Sequence, residues 1–163
     1  MKNISIIQNK IFTLHNLQMQ INAWRVNKRT VAFTNGCFDI LHNGHIYSLS
    51  QAAQEADYLV VAINSDTSVK KLKGNERPIN NEQTRATIIA SLILVDAVII
   101  FSEETPKNLI ETLNPDVLVK GGDYTIDQIA GADFIIKNGG RVVINKIIEG
   151  FSTSNLIEKI KSL

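Results

Sequence analysis

The sequence predicts a single α/β domain, doubly wound around a five-stranded parallel sheet. Three observations predict it. Five short apolar runs recur along the chain, and they are continuous rather than alternating, as parallel strands covered on both faces require. Segments with helical spacing of apolar residues lie between them. The 163 residues are 44 % apolar, with three prolines and no Gly/Ser-rich linker, which suits one core and gives no sign of a second.

Residues 1–27 stand outside the alternation. Leu14, Leu17, Ile21 and Trp24 recur at helical spacing, so this stretch is expected to be an N-terminal helical extension to a domain at 28–163. The helix is expected to cover an otherwise exposed face or to meet a neighbouring subunit. Residues 31–33 form the first apolar run, and Ile46, Leu49, Ala53 and Ala56 mark a helix over 44–56. Residues 59–63 form a second strand, followed by a lysine-rich segment with loop character from Gly74 onward. A helix is expected at 82–93 and a third strand at 95–101, interrupted by Asp96. Then come a helix at 105–113, a strand at 117–119, a helix at 126–138, a strand at 141–144 and a last helix at 152–162. Leu156, Ile157 and Ile160 share one side of that last helix. The order strand–helix–strand throughout gives a Rossmann-like sheet whose ligands sit at the carboxyl ends of the strands, where strand order reverses.

The 17 basic and 16 acidic residues leave a net charge of +1, so no bulk field argues for a nucleic acid or a membrane surface. The basic residues do cluster locally, at Lys70, Lys71, Lys73 and Arg77. A single cysteine, Cys37, excludes an intrachain disulfide and fits a reducing compartment. No apolar run approaches the roughly 20 residues of a membrane span. The N-terminus lacks the apolar core of a signal peptide. A cytoplasmic protein is expected.

The chemistry concentrates in Thr34-Asn-Gly-Cys-Phe-Asp-Ile-Leu-His42-Asn-Gly-His45, where a strand ends and a helix begins. A helix N-terminus offers unpaired N–H groups and a partial positive charge, which suit phosphate. Gly44 lets a ligand approach the backbone, and two imidazoles there can donate to a phosphate whose charge is changing. Thr34, Asn35, Gly36 and Phe38 belong to the same loop. A metal site is disfavoured, because two histidines give two ligands and Cys37 and Asp39 do not complete a usual zinc spacing.

Lys71 and Lys73 follow the second strand at its ligand-facing end, next to Asn64 and Asp66. They are expected to close over a triphosphate on a mobile segment. Ser152, Thr153 and Ser154 open the last helix, and capping and phosphate binding share that geometry. Lys120-Gly121-Gly122-Asp123-Tyr124 follows the fourth strand, where glycine backbone can approach a base or ribose and Asp123 can accept from hydroxyls. Arg85 is expected at the surface or on a phosphate. Asp39, Asn64, Asp66, Arg85 and Lys120 are assigned to the acceptor side.

His-x-Gly-His resembles the signature of nucleotidyltransferases, which join a nucleoside monophosphate to an acceptor and release pyrophosphate. Residues 32–45, 69–78, 117–124 and 149–154, with Ile-Ala-Gly-Ala-Asp at 129–133, resemble a narrower family: the adenylyltransferase domain that makes ADP-heptose. That domain often forms the second half of a bifunctional heptose kinase/adenylyltransferase, and the resemblance runs over roughly 22–162. It implies AMP transfer from ATP to D-glycero-β-D-manno-heptose 1-phosphate, for the heptose of lipopolysaccharide core or other surface glycans. It implies catalytic roles for His42, His45, Lys71 and Lys73, and a nucleotide site that includes Gly44, Gly121, Asp123 and Ser152 to Ser154. It also implies Mg²⁺ bound through the nucleotide phosphates rather than by the protein, and a homo-oligomer. The kinase half is not in this sequence, so a separate heptose kinase is expected upstream.

Two alternatives stand beside it. A cytidylyltransferase acting on glycerol 3-phosphate shares His-x-Gly-His and the Ser-Thr helix start, but usually carries Arg-Thr where this chain has Ile147 and Ile148 before Glu149-Gly150. A non-catalytic nucleotide-binding module would keep the fold and lose the catalytic groups.

Overall fold

The computed structural model describes residues 5–146, 148 and 150–163, so Ile147 and Glu149 of the last motif lie outside the described residues. Five strands form one parallel sheet: β1 (Val31–Gly36), β2 (Tyr58–Asn64), β3 (Ala97–Phe101), β4 (Val117–Gly121) and β5 (Arg141–Asn145). Their order is β3-β2-β1-β4-β5, so the chain winds outward from β1 in one direction and then, from β4, in the other. The expected doubly wound, five-stranded architecture is present. Strand order reverses between β1 and β4, and a crevice opens there at the carboxyl ends.

Alternation along the strands builds two cores. Val31, Phe33, Val60, Ala62, Ile99 and Leu118 face one layer of helices: α2 (Leu14–Val26), α6 (Lys107–Leu113) and α7 (Ala132–Lys137). Ala32, Leu59, Val61, Ile63, Val98 and Val119 face the other: α3 (Asn43–Ala53) and α5 (Glu82–Ala90). Neighbouring residues of one strand thus enter opposite cores, which explains the unbroken apolar runs.

The N-terminal helix is built into the first core. Leu17, Ile21 and Trp24 are buried, Leu14 is not, and Trp24 stacks on Tyr58 with ring centroids 4.1 Å apart. Before it, α1 (Ser5–Gln8) leads into a short extended piece that pairs with the sheet edge. Phe12 N donates to Val98 O at 2.8 Å, and Val98 N donates to Lys10 O at 2.7 Å. Lys10 Nζ also reaches the Val95 carbonyl at 2.6 Å. These bonds cover the outer edge of β3, whose backbone groups would otherwise be open to pairing with another chain.

Several boundaries differ from the expectation, each for a physical reason. β1 runs three residues beyond its apolar stretch, because Thr34, Asn35 and Gly36 pair by backbone with Val61, Ala62 and Ile63. Asp96 stays outside β3, where its carboxylate accepts from Leu59 N at 2.8 Å. The helix expected at 126–138 is a 3-10 turn at Ile126–Gln128 and then α7. Gly131 divides them with φ +84°, and a Cβ there would lie 2.9 Å from Ile110. The lysine-rich segment, for which no helix was expected, forms the helix α4 (Asp66–Lys73) and ends at Gly74, where loop character was expected to begin. Ser65 caps it by accepting from Ser68 N, Asp66 lies in its first turn and three lysines in its last, all favourable to the helix dipole. The last helix, α8 (Thr153–Lys161), buries no residue fully. Among the described residues no helix is long and apolar enough to cross a membrane.

Candidate active site

The crevice holds a cavity of about 630 Å³ and, continuous with it through Gly36, Phe38 and the histidines, a recess of about 250 Å³ on the α3 side. β1 delivers Asn35 and Gly36 to its floor, and the chain then turns through Phe38 into α3. Phe38 holds φ +47°, a conformation that costs a non-glycine residue about 1–3 kcal/mol and is retained where surrounding contacts over-determine it. Its ring meets His45 edge-on, with centroids 5.3 Å apart.

His42 is the N-cap residue of α3, with extended backbone and no side-chain cap bond. One turn on, at a spacing that shares a helix face, stands His45. The two imidazoles stack, centroids 3.8 Å apart and planes 19° from parallel. Phe151 extends the stack beyond His42 at 6.4 Å. The glycine between the histidines has a packing reason that the sequence did not reveal. A Cβ on residue 44 would lie 3.0 Å from Phe151 Cβ and 3.1 Å from His42 Nδ1, so it would push the His42 ring.

Burial lowers the pKa of both histidines, and His45, also facing His42, falls to about 4. Both rings are therefore neutral at pH 7, each with one N–H to donate. Among the described residues the buried Nδ1 atoms of both lack a hydrogen-bond partner, while a backbone hydrogen bond with Ile40 partly opposes the fall in pKa at His45. Buried polar atoms without partners cost about 1–3 kcal/mol, and they belong where a polar ligand binds.

Cations surround the pair. Lys73 at the end of α4 lines the cavity, whereas Lys71 does not. Two residues apart on a helix means roughly 200° of rotation, so both cannot face one site. Arg77, which the sequence placed in the basic cluster but not in the site, lines the cavity, and its Nε donates to Asp39 Oδ2 at 2.5 Å. Lys120, from the end of β4, donates to Asn35 Oδ1 at 3.3 Å and lies 5.6 Å from the Tyr124 ring centroid. Burial lowers its pKa.

Three residues expected at the acceptor act behind the wall instead. Asp39 borders the cavity, but its side chain is 0 % exposed. Its carboxylate accepts from Ile79 N at 2.8 Å and Asn80 N at 2.9 Å as well as from Arg77. Burial alone would raise its pKa, but those donors together hold it below the usual carboxylate range. Arg85 is fully buried rather than at the surface. It donates to Asn80 O at 2.9 Å, Cys37 O at 2.6 Å and Asp66 Oδ1 at 2.8 Å, and neither it nor Asp66 lines the cavity. Together they pin the loop between β1 and α3 to the segment carrying Arg77.

The other expected residues divide as follows. Asn64 lines the cavity and donates to Ser68 Oγ at 3.0 Å. Ser152, Thr153 and Ser154 line it from the start of α8, where Ser152 Oγ accepts from Asn155 N at 3.0 Å. Thr34, Gly44 and Gly121 line the recess, and Asp123 borders neither space. Cys37 is on the wall with its thiol pKa raised by burial. Among the described residues no group of three or more His, Cys, Asp or Glu is placed to hold a metal ion.

The geometry matches known proteins over most of the chain. The cytidylyltransferase-like family model matches residues 33–159. The chain belongs to the cytidylyltransferase-like family. Its cytidylyltransferase-like relatives include the bifunctional protein HldE of Koribacter versatilis, 52 % identical over 158 residues, covering 97 % of this chain and 32 % of that protein. HldE of Caulobacter vibrioides is 48 % identical over 153 residues, covering 94 % and 32 %. The chain thus spans about a third of the length of the curated relatives it matches. A lipopolysaccharide core biosynthesis protein from Thermoplasma volcanium superposes with a TM-score of 0.57 at 30 % identity, covering 74 % of this chain and 97 % of that one. A pantoate-beta-alanine ligase from Francisella tularensis, solved with an ATP analogue and beta-alanine, gives 0.62 at 16 % identity, covering 94 % and 78 %, and shares the fold alone.

Proposed function

We propose that this chain transfers AMP from ATP to D-glycero-β-D-manno-heptose 1-phosphate, forming ADP-heptose and pyrophosphate. The observation that carries the reading is the stacked, neutral pair His42 and His45 at a helix N-terminus, facing a cavity whose cations are Lys73, Arg77 and Lys120. Such a site neutralises and positions phosphate groups, which is most of what nucleotidyl transfer requires. Similarity to proteins named HldE and to a lipopolysaccharide core biosynthesis protein supports the sugar acceptor.

In this reading the acceptor phosphate oxygen attacks the α-phosphorus of ATP in line. The new P–O bond forms as the bond to the β-phosphate oxygen breaks, and pyrophosphate leaves with that electron pair. The histidine N–H groups donate to the α-phosphate oxygens, whose charge rises in the transition state. Ser152 to Ser154 and the first turn of α8 hold the β- and γ-phosphates, with Lys73 and Arg77 opposite. The recess beside Thr34, Gly44 and Gly121 takes the nucleoside. No side chain becomes covalently attached to substrate. Magnesium, bound through the triphosphate rather than by protein carboxylates, supplies charge neutralisation.

The reading includes a cytoplasmic setting, a homo-oligomeric assembly and a heptose kinase that supplies the acceptor. A cytidylyltransferase acting on glycerol 3-phosphate is the second reading, kept by the family's own description. Mass analysis of products from ATP, CTP and GTP, each paired with heptose 1-phosphate and with glycerol 3-phosphate, separates the two. ADP-heptose alone supports the first reading; CDP-glycerol alone replaces it.

A further inference from the structure

The larger cavity is also lined by the loop after β3 and by the 3-10 turn after β4. Glu104 and Gln128 are the polar residues these segments bring to it, beside the apolar Leu118, Pro106 and Ile129. We infer that Glu104 and Gln128 bind the hydroxyl-bearing end of the acceptor and make this chain selective for an uncharged polyol carried on a phosphate. The inference deepens the sugar-phosphate reading and rests on it.

The loop carrying Glu104 is held in place by its neighbour. Ser68 Oγ donates to the Glu103 carbonyl at 3.3 Å, and the Glu103 carboxylate turns back to accept from Ser102 N at 3.0 Å. Glu104 has no such employment: among the described residues its carboxylate has neither an ion pair nor a hydrogen bond. Gln128 is oriented by its own turn. Its Oε1 accepts from Thr125 N at 3.0 Å, which leaves the Nε2 donors for a ligand.

Charge then sets the direction of the acceptor. The acceptor phosphate belongs at Lys120, beside the triphosphate at Lys73 and Arg77, and is repelled from Glu104. Hydroxyls are matched to Glu104, because a carboxylate accepts strong charge-assisted bonds from O–H donors. Gln128 donates to the lone pairs of the same hydroxyls. The C–H face of a sugar lies on Leu118, Pro106 and Ile129. A second acidic group at that end of an acceptor would meet an unpaired carboxylate and be rejected.

The test is steady-state kinetics of the full chain and its Glu104→Ala and Glu104→Gln variants at saturating ATP. Heptose 1-phosphate is compared with mannose 1-phosphate, which lacks the terminal carbinol. Loss of a charge-assisted bond typically raises KM by roughly tenfold or more. The expected result for Glu104→Ala is that rise for the heptose phosphate, an unchanged KM for ATP, an unchanged melting temperature, and a heptose-to-hexose preference reduced toward one. Glu104→Gln is expected to fall between the alanine variant and the wild type. An unchanged acceptor KM, or an equal rise in the ATP KM, overturns the inference while leaving the sugar-phosphate reading intact. Failure of the wild-type chain to use heptose phosphate overturns both.

Discussion

The His42 imidazole lies face to face with that of His45, and a Cβ on Gly44, between them in sequence, would crowd the His42 ring and Phe151. The pair is one unit, held by Phe38 at its edge and Phe151 at its far face. Burial keeps both rings neutral, aided at His45 by repulsion from His42, so each has an N–H to offer without first having to lose a proton.

In the proposed mechanism the pair acts on the transition state more than on bound ATP. His42→Ala or His45→Ala is expected to lower kcat by about a hundredfold or more, the usual effect of losing one such donor, with far less change in ATP affinity. Pre-steady-state rates and nucleotide titrations measure the two effects separately. An unchanged kcat in both variants removes the catalytic assignment.

Gly44→Ala tests the packing reason for the glycine. Helix propensity favours alanine by about 1 kcal/mol, so the melting temperature is expected to hold. The added methyl displaces the His42 ring, and a misplacement of this kind costs roughly tenfold to a hundredfold in kcat. Full activity in this variant shows that the ring position is not critical.

The depressed pKa of His45 also predicts a pH-dependent stability. The unfolded chain protonates its histidines near pH 6.5, whereas folded His45 resists protonation down to about 4. Its contribution is complete above pH 6.5, declines as pH falls toward 4 and changes no further below that. Folded Asp39 acts in a lower window, because its depressed pKa lets its contribution fall only below the ordinary carboxylate range. Denaturation of the wild type and of His45→Gln between pH 4 and 7 reads the difference. The variant is expected to lose less stability over that interval, and identical slopes would show that His45 is not buried in its neutral form.

Lys71 and Lys73 are expected to differ, although the sequence treats them alike. Lys73→Ala removes a phosphate contact and is expected to reduce kcat/KM for ATP by roughly tenfold to a hundredfold. Lys71→Ala, on the other side of α4, is expected to stay near wild type. Equal losses would mean that α4 turns or unwinds when nucleotide binds.

Arg85 is a structural prediction. Arg85→Ala leaves the partly exposed Asp66 without its partner and two partly buried carbonyls without donors. Leaving such groups unpaired costs about 1–3 kcal/mol, to be measured by urea denaturation. A loss under about 1 kcal/mol would place Arg85 nearer solvent than its burial implies.

Much of the fold was legible because parallel strands covered on both faces write themselves as continuous apolar runs. What was not legible depends on distant partners. The end of β1 is polar, and only backbone pairing with Val61 to Ile63 makes Thr34 to Gly36 a strand. Leu17, Ile21 and Trp24 showed a helix, but not that Lys10 to Phe12 would pair with an edge strand more than eighty residues away. In the site, His42, His45 and the serine-rich helix start were visible because local spacing defines them. Asp39 looked like a ligand contact from its place beside the histidines. Its real partners, the amides of Ile79 and Asn80, are about forty residues on. Arg85 resembled a surface cation for the same reason. Arg77 left a faint signal, the Arg-Pro after Gly74, whereas Glu104, in a loop, and Gln128, in a 3-10 turn, carry no local sign of a ligand.

Direct transfer with no covalent intermediate is tested by following pyrophosphate from ATP and magnesium with and without heptose 1-phosphate. Release is expected only when the sugar phosphate is present, one pyrophosphate for each ADP-heptose formed. Exchange of labelled pyrophosphate into ATP in the absence of any acceptor would overturn direct transfer, because it requires the nucleotidyl group to be held on the protein.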